Sequence, residues 1–148
     1  MGDLNPDRSS LATELGVAWA SPETLLDLDV DVLVPASLGR LLTLDVVSRL
    51  RCRVVVGPAN NQLASPAVAD ALANLGILWA PDIVVNAGGV LYGVLREVHK
   101  VSHEAALGRV TNIGDTLRGV LRDAAATGRT PREIVRVMAD RARDQPGR

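Results

Sequence analysis

Two Val-rich stretches, Val30 to Val34 and Cys52 to Val56, constrain the fold of this chain more than any other feature. Their centres, Val32-Leu33-Val34 and Val54-Val55-Val56, are continuously apolar. A strand with one wet face alternates apolar and polar residues. An unbroken Val-rich run is instead the pattern of a strand buried on both faces of a parallel sheet. Two further β-type runs, Val17 to Ala20 and Ile77 to Trp79, flank them. Helical text lies between. Ser21-Pro22-Glu23 and Ser65-Pro66-Ala67 each set a capping hydroxyl before a Pro suited to a first helical turn, and Leu44 to Leu50 supplies another short helix. Strands alternating with helices at this spacing predict βαβ units.

After Ala80 no further β run occurs. Helical segments are predicted over Asp82 to Val98, Ser102 to about Thr127, and Pro131 to about Arg143, with the tail Asp144 to Arg148 expected to fray. In the second, Ala106, Val110, Ile113, Leu117, Val120 and Leu121 recur at helical spacing and mark one buried face. The third opens on Thr130-Pro131-Arg132-Glu133, a capping box with Pro at its first position. The expected architecture is α/β: a partial Rossmann-type, mostly parallel sheet over residues 1–100, followed by a helical extension of the same domain over residues 101–148.

Composition narrows the function classes. The 148 residues are 47% hydrophobic and 22% charged, a globular balance. Aromatic residues make up only 2%, with no Phe, so Leu, Val, Ile and Ala must build the core. A net charge of −1 leaves no electrostatic footprint for nucleic acid. No apolar run approaches the roughly 20 residues of a membrane span, and Met1 to Asp7 lacks the basic and apolar regions of a signal peptide. One cysteine, Cys52, excludes an internal disulfide and fits a reducing compartment, so the cytoplasm is expected. Lys100 is the only lysine, which excludes any mechanism that needs two.

Three motifs carry chemistry. Asp31-Val32-Leu33-Val34-Pro35-Ala36-Ser37-Leu38-Gly39 ends a strand in a Pro-containing turn. Val54-Val55-Val56-Gly57-Pro58-Ala59-Asn60-Asn61-Gln62-Leu63 ends the next with paired amides. Ala80-Pro81-Asp82-Ile83-Val84-Val85-Asn86-Ala87-Gly88-Gly89-Val90 follows the last. Ligands of open α/β sheets sit outside the carboxyl ends of the strands, where these turns fall. Small residues let backbone approach a flat ring, and Asn amides both donate and accept. No G-x-G-x-x-G turn occurs, and Gly88, Gly89 and Gly93 do not form one.

In this order and spacing, the three motifs resemble the cofactor domain of the leucine, phenylalanine and valine dehydrogenases, within the wider glutamate dehydrogenase superfamily. Arg96-Glu97-Val98 and Ile113-Gly114-Asp115-Thr116-Leu117 lean toward the phenylalanine dehydrogenase branch. The resemblance implies NAD as cofactor and oxidative deamination of an L-amino acid to its keto acid and ammonia. Asp3 would take the adenosine ribose hydroxyls. Ala36, Ser37 and Leu38 would line the cofactor cleft. Ala59, Asn60, Asn61 and Asn86 would serve its nicotinamide side. Asn61 with Gly88, Gly89, Val90 and Gly93 would face the substrate. Family lysines and a catalytic aspartate come from an amino-terminal domain, so no catalytic residue is expected within these 148 residues.

If Asp3 is the ribose acid, Met1 falls just after the place of the pyrophosphate turn, and the first cofactor strand and the substrate domain are missing. The expected partners are then a second copy of the chain or a separately encoded amino-terminal dehydrogenase domain. A non-enzymatic remnant, acting as an oligomerisation or cofactor-sensing module, is the alternative.

Each residue also has a plainer role. Asn60 and Asn61 suit an Asx turn, and Gly88-Gly89 suits a helix break. His99 and His103 lack a third ligand and read as solvated surface. Cys52 reads as a packed small side chain. The chain departs from the family pattern at three places: Pro35-Ala36-Ser37 stands where the family reads Pro-Cys-Ala, so the Cys is lost, Arg40 replaces a Gly, and Pro58 replaces Ser or Ala and removes a backbone donor.

Overall fold

A computed structural model describes residues 1–144. A 3-10 turn, Pro6–Arg8, leads into α1 (Ser9–Glu14) and α2 (Pro22–Leu25). The sheet follows: β1 (Val32–Leu33), α3 (Leu44–Arg49), β2 (Val54–Val55), α4 (Ala67–Asn74) and β3 (Leu78–Trp79). All three strands are parallel, in the order β1-β2-β3, joined through α3 and α4 as the alternating pattern predicts.

Register decides which face is dry. Leu33, Val55 and Trp79 align across the strands, as do Val32, Val54 and Leu78. The first row enters a core with Val47 of α3, Val68 and Leu72 of α4, Leu42, Cys52 and Ile77. The second row faces the other way: Val32 is 45% exposed and Leu78 42%. Burial on both faces, as the Val-rich runs suggest, is therefore corrected. Helices cover one face only.

Val17 to Ala20 is extended but joins no strand of this sheet. Its backbone pairs with the chain start instead: the Met1 amino group donates to Ala18 O, and Ala20 N–H donates to Met1 O at 2.9 Å. The strand expected here is a short ladder with Met1.

The helices beyond β3 are more broken than their periodicity predicts. The first segment divides into α5 (Asp82–Val85), α6 (Gly88–Gly93) and a π turn, Val94–Val98. The second divides at Asn112 into α7 (His103–Thr111) and α8 (Ile113–Thr127). The division does not disturb the predicted face: Ala106 and Val120 are buried, and Val110, Ile113, Leu117 and Leu121 are half-buried. Gly128, at φ 67°, ends α8 in the left-handed conformation that glycine adopts without strain. α9 (Pro131–Asp144) packs on α8 through Ile134, Val120 and Ala124. Its capping box is formed as predicted, Thr130 N–H donating to Glu133 Oε2 at 2.8 Å and Glu133 N–H to Thr130 Oγ1 at 3.3 Å. The expected fraying of the tail beyond Asp144 lies outside the described residues. Among those described, no helix is long and apolar enough to cross a membrane.

Candidate functional site

The turns after β1 and β2 are built against each other. Ala59 N–H donates to Pro35 O at 3.0 Å. A Cβ on Gly57 would stand 2.3 Å from that same oxygen and 2.7 Å from Pro35 N, so only glycine fits this approach. One step further out, Arg40 N–H donates to Asn61 O at 2.7 Å and Leu42 N–H to Gln62 O at 3.0 Å. Arg40 (φ 64°) and Asn61 (φ 52°) both take left-handed backbone. Asn tolerates this region through its short side chain; Arg is rarer there. This chain therefore sets a long cation in a backbone conformation that favours glycine.

Gln62 holds the assembly together, and sequence reasoning passed over it for the two asparagines beside it. Its side chain is fully buried. Nε2 donates to Gly57 O at 2.8 Å and to Ala59 O at 3.1 Å, while Oε1 accepts the Trp79 indole N–H at 3.1 Å. Its backbone N–H donates to Asp82 Oδ2 at 2.8 Å. One residue thus ties the β2 turn to β3 and to the start of α5. The signal in the sequence was Trp79, an indole in a buried strand that needs an acceptor.

The predicted site residues fall into separate groups. Asn86, at the end of α5, donates through Nδ2 to Asn60 Oδ1 at 2.7 Å and to Ala59 O at 3.4 Å. Ala59, Asn60 and Asn86 are thereby brought together. Asp3 shares an apolar cleft of about 220 Å³ with Ser37 and Leu38, walled by Leu4, Leu25, Leu26 and Leu41. Ala36 lies exposed at the turn before it. Asp3 Oδ1 accepts the Asn5 N–H at 2.8 Å. Asn61 lines a different cleft, with Gly39 and Arg40.

Gly88, Gly89, Val90 and Gly93 ride on α6. A Cβ on Gly88 would meet Val110 of α7 at 3.3 Å, so this glycine serves helix packing. Val90 is 73% exposed, and open space surrounds Gly89 and Gly93. No hydrogen bond links these three to Asn61 among the described residues.

Burial pushes the Cys52 thiol up, in keeping with a packing role. His103 is not simply solvated: its Nδ1 lies 2.8 Å from Tyr92 Oη, with the rings edge to face. No group of three potential metal ligands occurs among the described residues.

A parallel α/β sheet whose strand-end turns pack together places these amides and the Asp3 carboxylate where open α/β sheets bind their ligands. The comparisons give the family. The model of the Glutamate/Leucine/Phenylalanine/Valine dehydrogenases matches residues 8–107, and the chain belongs to that family. It is 35% identical over 127 residues to a leucine dehydrogenase of Thermoactinomyces intermedius, covering 85% of this chain and 34% of the relative. The L-tryptophan dehydrogenase structure from Nostoc punctiforme superposes with a TM-score of 0.89 at 33% identity, over 97% of this chain and 44% of that one. The hetero-hexameric glutamate dehydrogenase of Thermus thermophilus superposes at 0.63 with 25% identity, over 86% of this chain and 33% of that one. The chain spans about a third of the length of the leucine dehydrogenases it matches.

Proposed function

We propose that these 148 residues are the carboxyl-terminal part of the cofactor domain of an NAD-dependent L-amino-acid dehydrogenase acting on a branched-chain or aromatic substrate. Residues 1–100 form the partial Rossmann-type unit and residues 101–148 its helical extension. The observation that carries this reading is the cleft shared by Asp3, Ser37 and Leu38. An apolar slot with one carboxylate at its rim suits a purine and its ribose: the leucines exclude water from the ring, and the carboxylate accepts two hydroxyls.

The donor set fits NAD at its two ends. Asp3 would hold the adenosine ribose, with Ala36, Ser37 and Leu38 along the cleft. Ala59, Asn60, Asn61 and Asn86 would hold the carboxamide side, where the bond from Asn86 fixes which face Asn60 presents. NAD, when bound, supplies the hydride acceptor. Gly88, Gly89, Val90 and Gly93, with Asn61, would border the substrate. The chain's own contribution is to bind and orient. The lysine-activated water of the family reaction needs groups these residues do not carry, and Lys100 sits beyond the π turn, away from the strand ends.

Turnover by these residues alone is therefore not expected. A second copy, or a chain bearing the lysines, would act as partner, and the cytoplasm as setting. Calorimetric titration with NAD tests the reading. Saturable heat that weakens in Asp3→Ala supports it; no heat at millimolar NAD would favour a non-enzymatic oligomerisation module. A clear rate of NADH formation from L-phenylalanine or L-leucine by the isolated chain would overturn the expected inactivity.

A further inference from the structure

A second, open cleft lies beside the turn after β2 and meets the cleft that holds Asp3 at Gly39, which lines both. It is lined by Gly39, Arg40, Asn61, Ser65 and Pro66, and by Arg132 from the first turn of α9. Its charge is one-sided. Two arginines line it and no acidic residue does. Neither Arg40 nor Arg132 belongs to any ion pair among the described residues, whereas Arg49, Arg118 and Arg143 each hold an aspartate. Nor does either side chain donate a hydrogen bond within the described protein, and the same is true of the Asn61 amide and the Ser65 hydroxyl. The donors around this cleft are thus available to a ligand.

Arg40 is held in place by its backbone. A Cβ on Gly39 would stand 2.8 Å from Asn60 O, so the turn before Arg40 packs directly on the β2 turn, and the Arg40 N–H to Asn61 O bond ties the next residue to it. The left-handed φ of 64° is an uncommon setting for a non-glycine residue. The chain thus places a long cation on a strained, well-anchored position. Arg132 arrives from a separate element, its helix start set by the Thr130–Glu133 capping box.

We propose that this cleft binds the phosphate group of a small molecule, with Arg40 and Arg132 as the paired guanidinium clamp and Asn61 and Ser65 as additional donors. One guanidinium satisfies a carboxylate in bidentate fashion, whereas a phosphate dianion presents three oxygens and suits two. The volume, about 590 Å³, leaves room for the rest of a phosphorylated molecule. The site rests on the two arginines; Asn61, which the reading above places at the carboxamide side, is a residue that the two sites would share.

Titration of the 15N-labelled chain with inorganic phosphate, at ionic strength held constant with sodium chloride, tests it. Saturable shifts are expected at the amides of Arg40, Asn61, Ser65 and Ala67. Each of Arg40→Gln and Arg132→Gln should weaken binding by about tenfold or more, and the double variant should abolish it. Arg40 is exposed and Arg132 half-buried, and unchanged thermal unfolding of the variants confirms that they fold. The absence of saturation, or a response undiminished in the double variant, overturns the proposal. Equal saturation by sodium acetate overturns the assignment to phosphate. NAD shifts centred on Asp3 and Ser37 without any phosphate response would sink this site while leaving the cofactor reading intact.

Discussion

The indole N–H of Trp79 donates to Oε1 of Gln62 at 3.1 Å inside the covered face of the sheet. The same amide caps two carbonyls of the β2 turn, so the strand that ends the sheet and the turn after β2 share one buried group. Gln62→Leu keeps the volume but removes every side-chain partner at once, leaving the indole and the Gly57 and Ala59 carbonyls unpaired. A buried unsatisfied group costs about 1–3 kcal/mol. We expect about 3 kcal/mol of destabilisation, which is roughly 6–12 °C in Tm for a chain of this size. Thermal unfolding by circular dichroism measures it. An unchanged Tm would mean that the turn holds without this amide.

Gly57 makes the complementary test. An Ala Cβ there would fall 2.3 Å from Pro35 O and 2.7 Å from Pro35 N, both backbone atoms of the β1 turn. Gly57→Ala should cost about 1–3 kcal/mol through overpacking and move the β1 turn outward. Denaturant unfolding gives the stability change. If NAD binds as proposed, its affinity should fall alongside, since Ala36 to Leu38 are carried by the same turn.

Much of this was legible in the sequence, and the remainder has physical reasons. The parallel order was readable because Val-rich runs alternate with capped helices, and the buried face of α7 and α8 because its period is helical. Coverage of only one sheet face was not readable. A run such as Val32-Leu33-Val34 is apolar whether or not a helix lies over Val32 and Val34. The break at Asn112 also escaped, since it carries neither Pro nor an unambiguous stop, and the break read at Gly88-Gly89 falls at Asn86 instead, with the two glycines opening α6. Asn60 and Asn86 stood out as isolated amides, yet their 2.7 Å contact depends on β2 and β3 being neighbours. Gln62 went unnoticed because its role is set by Trp79, seventeen residues away.

The uncovered face has a consequence for assembly. Val32, Val34 and Leu78 are 45%, 58% and 42% exposed, and β1 is an edge strand. An apolar row beside an unpaired edge favours association. We expect the isolated chain to be a dimer or larger at micromolar concentration, and the pair Val32→Lys with Val34→Lys to shift it toward monomer. Sedimentation velocity reads both. A clean monomer of the unaltered chain would remove this face as the contact.

Asp3 offers the most selective probe of the cofactor reading. It sits at the rim of the cleft that holds Ser37 and Leu38, and its carboxylate already accepts one backbone N–H, from Asn5. Asp3→Asn keeps the size but loses the charge-assisted bonds to a ribose diol, each worth about 1.5–3 kcal/mol. NAD affinity should drop by about tenfold or more with little change in Tm. Calorimetry separates the two effects, and equal affinity in both proteins would exclude Asp3 as the ribose acid.

The start of α9 should respond to acid in a defined direction. Backbone and hydroxyl hydrogen bonds from Thr130 hold the Glu133 carboxyl below the ordinary glutamate range, with Arg129 and Arg136 assisting. A carboxylate whose folded value is depressed contributes its stabilisation above the unfolded value and loses it as pH falls through the folded one. The capping box should therefore stay intact through the pH range where free glutamate protonates, then open below it. Glu133→Gln should remove this acid dependence, because a neutral amide does not titrate. Amide exchange at Thr130 and Glu133, followed from neutral to acid pH, resolves the step. A midpoint at or above the ordinary glutamate value would show that the carboxylate contributes nothing to this helix start.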